Sequence, residues 1–288
     1  RMVFHKDPCG VFCILFTYAL VAYADYVIIQ HVILTTLTGS IWGAVHCVLF
    51  NTIIFGVLYS HARTVFSDPG IVPLPIMGLD FSDLHVQGKG HMDQSNGEDW
   101  TVCQRCETYR PPRAHHCKIC RRCVRRMDHH CPWVNNCIGE MNQKYFIQFL
   151  FYTALLCIYA LILNISGWMW MFGNARSSNA DLLSRKSTVF NLHVIVSSHG
   201  IGLCIESILF GLFVIVMLFD QISSIFGDET GVEYTIHRSR KTRPPRPRKP
   251  RMALLREVFG YGPVYTWLMP CSAPGGTVRS LVPGSYDV

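Results

Sequence analysis

Residues 103–137 read CQRCETYRPPRAHHCKICRRCVRRMDHHCPWVNNC, a segment that holds seven cysteines and four histidines in 35 residues. Two pairs within it, Cys103 with Cys106 and Cys117 with Cys120, have the Cys-x-x-Cys spacing that places two thiolates on one tetrahedral zinc ion. Two such sites need eight ligands, which six of the cysteines and two of the histidines can supply. The segment therefore predicts a two-zinc domain with one cysteine and two histidines left over.

Cys131 is the best candidate for the remaining thiol. It ends the run Asp128-His129-His130-Cys131, so that a proton-accepting imidazole and a carboxylate stand beside it. Cysteine nucleophiles are activated by a base of this kind, which the carboxylate orients. The alternative is a structural zinc module that binds other proteins, in which Cys131 is one more ligand or an unused thiol.

Four long apolar stretches flank this segment. They cover residues 11–33, 41–60, 145–172 and 201–219, and a helix needs roughly 20 such residues to cross a bilayer. Only 16% of the chain is charged, whereas a soluble domain carries about 25%. The sequence therefore predicts an α-helical integral membrane protein with four transmembrane helices and a zinc-binding cysteine-rich domain between helices 2 and 3.

The distribution of Lys and Arg predicts the orientation in the membrane. The formal net charge is +7, and the excess lies in the loop between the second and third apolar stretches and in residues 238–251. Cytosolic loops of membrane proteins carry such an excess. We therefore expect the cysteine-rich domain and both termini to be cytosolic, with the lipid bilayer and not a nucleic acid as the partner of the basic residues.

These patterns divide the chain into six segments. In order they are a cytosolic N-terminus (1–10), transmembrane helices 1 and 2 (11–66), a connector (67–102), the cysteine-rich zinc domain (103–140), transmembrane helices 3 and 4 (141–225) and a cytosolic C-terminal region (226–288).

The run from Cys103 to Gly139 resembles the DHHC cysteine-rich domain of protein S-palmitoyltransferases, and the sequence as a whole is most similar to their Golgi-type subgroup. Asp68-Pro69-Gly70 and Val258-Phe259-Gly260 look like further features of that family. The resemblance implies an enzyme that moves a palmitoyl group from acyl-CoA to Cys131 and then to cysteine thiols of membrane-associated substrate proteins. It also implies a Golgi membrane, with the endoplasmic reticulum or the plasma membrane as alternatives.

The family pattern also implies a role for each residue of the segment. Cys131 would be the acylated nucleophile, His129 its base and Asp128 the partner that orients His129. Two structural Zn²⁺ would be bound, one by Cys103, Cys106, His116 and Cys123, and the other by Cys117, Cys120, His130 and Cys137.

Palmitoyl-CoA, the acyl donor, has a polyanionic head and an apolar tail. Candidate contacts for its phosphates are the basic side chains beside the cysteine-rich core, since guanidinium and ammonium groups bind phosphate: Arg121, Arg122, Arg125, Arg126 and Lys144. The alternative, which the sequence supports equally well, is that these side chains form a solvated basic face next to anionic lipid.

Two positions depart from the family pattern, and both lie after the fourth apolar stretch. Gly231 replaces the second threonine of the Thr-Thr-x-Glu motif, as also happens in the Golgi-type subgroup, and Leu254 stands where the family usually has asparagine. Full activity and the packing of the C-terminal segment depend on how the structure accommodates them.

The terminal residues Tyr286 to Val288 could suit a PDZ partner, and a membrane zinc scaffold that recruits partners through this tail is the alternative to an enzyme.

The resemblance assigns Leu156 a contact with the acyl tail, and the alternative is a leucine that only faces lipid. On the first interpretation we expect Leu156→Tyr to shift preference towards shorter acyl chains. Leu156 lies roughly 18 Å into the third apolar stretch at 1.5 Å per residue, near the depth that a sixteen-carbon chain reaches. A tyrosine there would take up space that the last carbons need. Competition between C14 and C18 acyl-CoA measures the shift, and an unchanged ratio would contradict the assignment.

Overall fold

The computed structural model describes residues 4, 7–74, 100–177, 186–241 and 247–269. Most of the connector and the proposed PDZ-binding tail lie outside them. The elements are α1 (Pro8–Tyr26), a π-helix (Val27–Ile33), α2 (Leu34–Thr36), α3 (Ile41–Phe66), β1 (Thr101–Cys103), β2 (Thr108–Arg110), β3 (His115–Cys117), β4 (Arg122–Val124), β5 (His129–Cys131), a 3₁₀ turn (Pro132–Val134), β6 (Asn136–Ile138), α4 (Gln143–Ser177), α5 (Lys186–Gly227), α6 (Gly231–Arg240), α7 (Arg251–Phe259) and α8 (Tyr265–Leu268).

The four predicted membrane spans are confirmed. Among the described residues, four helical stretches are long and apolar enough to cross a bilayer: Pro8–Thr36, Ile41–Phe66, Gln143–Gly173 and Val196–Gly227. Each extends beyond its predicted limits, because the helices continue into polar residues that a search for apolar runs leaves out. The cysteine-rich strands lie between the second and third of them, so the predicted fold class is correct.

The chain divides into two units. The hairpin unit comprises Arg1–Ile14, Ser60–Ile147 and Asp220–Val288, and the helical unit comprises Leu15–Tyr59 and Gln148–Phe219. Within the helical unit, the Asn164 amide donates a 2.8 Å hydrogen bond to the carbonyl of Gly200, and the His31 and His199 rings stack with centroids 4.7 Å apart. Interhelical polar contacts of this kind stabilise helix packing in a membrane.

Three antiparallel hairpins form the core of the hairpin unit, and they repeat every 14 residues. Their outermost pairs are Thr101 with Arg110, His115 with Val124 and His129 with Ile138. The turns repeat as well, because Glu107, Arg121 and Asn135 have φ of 49°, 52° and 47°. An isolated two-stranded hairpin is marginal in water, so strands of three residues require bonds between hairpins.

Asn136 connects the third hairpin to the C-terminal end of α3. The last carbonyls of a helix have no partner within the helix, and the buried Asn136 amide donates to those of Thr64 and Ser67 at 3.0 and 2.9 Å. The side-chain oxygen of Asn136, Oδ1, accepts a 2.9 Å hydrogen bond from the Cys137 N–H. Since Asn136 lies opposite Cys131 in the strand register, this contact fixes Cys131 relative to the end of α3.

Acidic residues before and within α6 and α7 hold these helices against the hairpins. Arg113 donates to Glu233 at 2.8 Å and to Asp228 at 2.9 Å, and Arg126 donates to Glu257 at 3.0 Å. A capping box between Thr230 and Glu233 begins α6, an arrangement that satisfies two free N–H groups of the first turn. Partly buried ion pairs with several partners therefore position this segment.

We expect Asn136→Ala to destabilise the fold by about 1–3 kcal/mol, because buried carbonyls at the end of α3 lose their donor. The measurement is the thermal unfolding midpoint in detergent, which should fall by several degrees. Asn51→Ala removes an exposed asparagine from the same helix and should leave the midpoint unchanged. Equal midpoints for the two variants would contradict the structural role of Asn136.

Candidate active site and metal centres

The first cluster joins the first two hairpins. Its ligand atoms, one from each residue, all lie within 4.8 Å of one another, and its members are Cys103, Cys106, His116 and Cys123. The first hairpin and its turn supply two thiols, and the cross-strand pair of His116 with Cys123 supplies the rest. His116 Nδ1 lies 3.6, 3.2 and 4.0 Å from the three sulfurs.

The second cluster repeats this plan one hairpin further along the chain. Its members, again with ligand atoms within 4.8 Å of one another, are Cys117, Cys120, His130 and Cys137. His130 Nδ1 lies 3.8, 3.4 and 3.7 Å from the three sulfurs. The middle hairpin therefore contributes to both clusters, and the two clusters link the three hairpins in series.

Both clusters have the dimensions of a tetrahedral zinc site. Zinc bonds of about 2.3 Å to sulfur and 2.0–2.1 Å to nitrogen imply tetrahedral edges of about 3.8 Å between sulfurs and about 3.6 Å from nitrogen to sulfur. The sulfur pairs Cys106–Cys123 and Cys120–Cys137 lie 3.8 and 3.5 Å apart. The eight residues thus fit two zinc ions, with Nδ1 as the ligand atom of each histidine.

Cys131 belongs to neither cluster within the described part of the chain. It occupies in the third hairpin the position that Cys103 and Cys117 occupy in the first two. The residue three positions later is Val134, where the first two hairpins have Cys106 and Cys120. The structure therefore brings the third thiol of the repeat to a buried position outside both clusters.

His129 and Asp128 adjoin this thiol as the sequence predicts. His129 Nδ1 lies 2.8 Å from Asp128 Oδ2, and the imidazole makes a T-shaped contact with the Phe146 ring, with centroids 5.3 Å apart. Nε2 is buried and has no partner at hydrogen-bond distance. Burial alone would lower the pKa of His129, but the bond to Asp128 and the nearby Cys131 thiol raise it to about 9.

The Asp128 carboxylate is 5% exposed and accepts hydrogen bonds from three groups. Besides His129, these are the Gln221 amide at 2.7 Å to Oδ2 and the Gly231 N–H at 2.5 Å to Oδ1. Burial would raise the pKa of Asp128, yet these donors, His129 first among them, hold it below its usual value. Hydrogen bonds to the charged form of a carboxylate have this effect.

The sequence did not predict the hydrogen bonds that the Gln221 side chain and the Gly231 N–H donate to Asp128. The sequence marked Gly231 only as a replacement for a threonine, whereas in the structure its backbone N–H donates to Asp128. A β-carbon at Gly231 would stand 3.2 Å from Asp128 Oδ1, so glycine allows a close approach here. Leu254, the second departure from the family pattern, is buried on α7.

The basic residues predicted to contact phosphate occupy different environments. Arg121 and Arg122 are exposed, whereas Arg125 lies 3.5 Å from Glu140 and Arg126 lies 3.0 Å from Glu257. Lys144 is buried and its Nζ donates to the Phe259 carbonyl at 3.0 Å. Their contacts with phosphate stay predictions, as does the contact of the acyl tail with Leu156, which is buried on α4.

A buried thiol beside His129 and two metal-type clusters, in a chain with four helices long and apolar enough to span a membrane, fits a membrane-embedded thiol acyltransferase. Residues 96–238 match the family model described as DHHC palmitoyltransferase. The chain is 35% identical to human palmitoyltransferase ZDHHC3 over 273 residues, which cover 95% of this chain and 84% of that protein.

Two further relatives are also named palmitoyltransferases. Palmitoyltransferase ZDHHC7 of Rattus norvegicus is 37% identical over 94% of this chain and 81% of its own length. Palmitoyltransferase ZDHHC3-A of Danio rerio is 37% identical over 81% of this chain and 68% of its own length. The chain therefore belongs to the DHHC palmitoyltransferase family, and it is a protein S-palmitoyltransferase.

Proposed function

We propose that Cys131 is the nucleophile and carries the acyl group between palmitoyl-CoA and a protein thiol. In the first step the Cys131 proton passes to His129 Nε2, and the thiolate sulfur attacks the thioester carbonyl. The bond from the carbonyl carbon to the CoA sulfur breaks, and CoA leaves with the proton from His129. In the second step His129 accepts the proton of a substrate cysteine, whose sulfur attacks the acyl carbonyl carbon. The bond from that carbon to the Cys131 sulfur breaks, and Cys131 regains the proton from His129.

The observation that carries this proposal is the geometry of His129. Its Nδ1 is bonded to Asp128, so Nε2 is the nitrogen that can accept a proton. The nearby thiol, Cys131, is the one cysteine of the 103–137 segment that neither metal cluster uses. A base with a fixed tautomer beside a thiol that is free of metal is the arrangement that nucleophilic cysteine catalysis needs.

The eight clustered residues would hold two zinc ions in closed Cys₃His sites. Zinc with four protein ligands has no open coordination position, so its contribution is structural. It would link hairpins that bury little apolar surface of their own and thereby hold Cys131 in place.

We propose that the exposed Arg121 and Arg122 meet the phosphates of the acyl-CoA, whose tail enters the bilayer. Arg125, Arg126 and Lys144 stay candidates for the same role, although each has a protein partner. Substrates would be membrane-associated proteins with cytosolic cysteines. A Golgi membrane is the proposed location, with the resemblance of residues 228–233 to the Golgi-type subgroup as its support.

A zinc scaffold without activity is the disfavoured alternative. Relatives named palmitoyltransferases match 94–95% of the chain. The contact of His129 with Asp128 beside Cys131 supports the enzyme over the scaffold. The C-terminal tail that a scaffold would use lies outside the described residues.

Purified protein incubated with labelled palmitoyl-CoA should form an acyl-enzyme that hydroxylamine cleaves, and Cys131→Ala should abolish this label. The reason is that the thioester forms on the Cys131 sulfur. Cys157→Ala is the matched control, because Cys157 is also a buried cysteine outside the metal clusters. Equal labelling of Cys131→Ala and the parent would overturn the assignment, and weak labelling of both would favour a scaffold.

Elemental analysis of the purified protein should give two zinc ions per chain, and Cys117→Ser should lose zinc and stability together. Because the middle hairpin contributes to both clusters, disruption of the second should weaken the first, so we expect less than one zinc to remain. Structural zinc supplies much of the folding free energy of such modules. Cys204→Ser, outside both clusters, should keep both ions. Retention of two ions by Cys117→Ser would contradict the ligand assignment.

A further inference from the structure

The side chain of Gln221 reaches the catalytic carboxylate from a distant part of the sequence. Gln221 lies near the end of α5 and is 0% exposed. Its Nε2 donates a 2.7 Å hydrogen bond to Oδ2 of Asp128, 93 residues earlier in the chain. A buried amide aimed at a buried carboxylate leaves neither group without a partner, as buried polar groups require.

The orientation of this amide is fixed from its other side. Gln143, the first residue of α4, donates from Nε2 to Oε1 of Gln221 at 3.3 Å. If the Gln221 amide were turned over, its oxygen would face the Asp128 oxygen and its nitrogen would face the Gln143 nitrogen. Both contacts would then be repulsive, so Gln143 keeps the Gln221 N–H directed at Asp128.

The oxygen that Gln221 contacts is the one that His129 uses. Oδ2 of Asp128 accepts from Gln221 Nε2 and from His129 Nδ1, while Oδ1 accepts from the Gly231 N–H. Donors on both oxygens prevent rotation of the carboxylate about its Cβ–Cγ bond. With the carboxylate plane fixed, Oδ2 holds the N–H of His129 at Nδ1, so that Nε2 is the ring nitrogen not bonded to Asp128.

We propose that Gln221 is a positioning residue for palmitoyl transfer: it fixes the Asp128 carboxylate, and thereby His129, through a relay that begins at Gln143. This inference rests on the proposed roles of Asp128, His129 and Cys131. Gln221 contacts none of the reacting atoms and acts through Asp128 alone.

The test compares Gln221→Met with the parent, since methionine keeps the length and volume of the side chain but cannot donate. The measurement is the rate constant for acyl-enzyme formation on Cys131 from labelled palmitoyl-CoA in single-turnover conditions. We expect it to fall about tenfold, in line with the loss of a hydrogen bond to a charged group. The apparent KM for palmitoyl-CoA and the zinc content should equal those of the parent. A parental rate constant would overturn the proposal.

A double-mutant cycle separates positioning from general destabilisation. Because Gln221 acts through Asp128, Gln221→Met should slow an Asp128→Asn enzyme less than about twofold. A further tenfold loss in that background would mean independent effects and would overturn the proposal. Asp128→Asn with the parental rate constant would instead overturn the proposed function, and with it the role of Gln221.

Gln148→Met is the matched control for loss of a buried glutamine. Gln148 lies on α4, is 1% exposed, and is not one of the three donors to Asp128. It should acylate at the parental rate. If Gln148→Met is as slow as Gln221→Met, or if Gln221→Met loses zinc as it loses rate, the role of Gln221 is structural and the positioning role is wrong.

Discussion

The two clusters of cysteine and histidine side chains are the constraint on which the active site depends. Each hairpin of the cysteine-rich segment has strands of only three residues, and such hairpins bury too little apolar surface to be stable alone. The clusters join the first hairpin to the second and the second to the third. Asn136 then fixes the third hairpin to the end of α3. Cys131 takes its position from this series of bonds.

The 14-residue repeat explains why Cys131 is left outside both metal clusters. Cys131 is the third-hairpin counterpart of two metal-cluster residues, and Val134 stands where a second thiol would capture it for a metal. The same register places His115 at the position of His129, but Ala114 precedes it where Asp128 precedes His129. Burial lowers the pKa of His115, whereas Asp128 raises that of His129. One carboxylate therefore distinguishes His129 from its repeat counterpart, His115.

Much of this architecture was predictable because its signals are local in sequence. The spans follow from apolar length, and Cys-x-x-Cys spacing predicts the metal clusters, although it leaves open which histidine joins which site. The resemblance supplied that pairing, and the structure assembles the same two groups. The contacts of Gln221 and Arg113 were not predictable. They join residues 93 and 120 positions apart. In the sequence, Gln221 looks like any polar residue at a helix end and Arg113 like any arginine of a basic loop.

The choice of donors around Asp128 has an electrostatic reason. The hairpins carry arginines, but Arg113 and Arg126 form ion pairs with acidic residues of the C-terminal segment and not with Asp128. Asp128 instead receives a neutral amide and a backbone N–H in addition to His129. A guanidinium in that place would stabilise the carboxylate equally well, yet its charge would oppose protonation of the adjacent imidazole. Neutral donors stabilise the buried anion and leave its charge to act on His129, so the pKa of the imidazole stays raised, as the proposed role of a base requires.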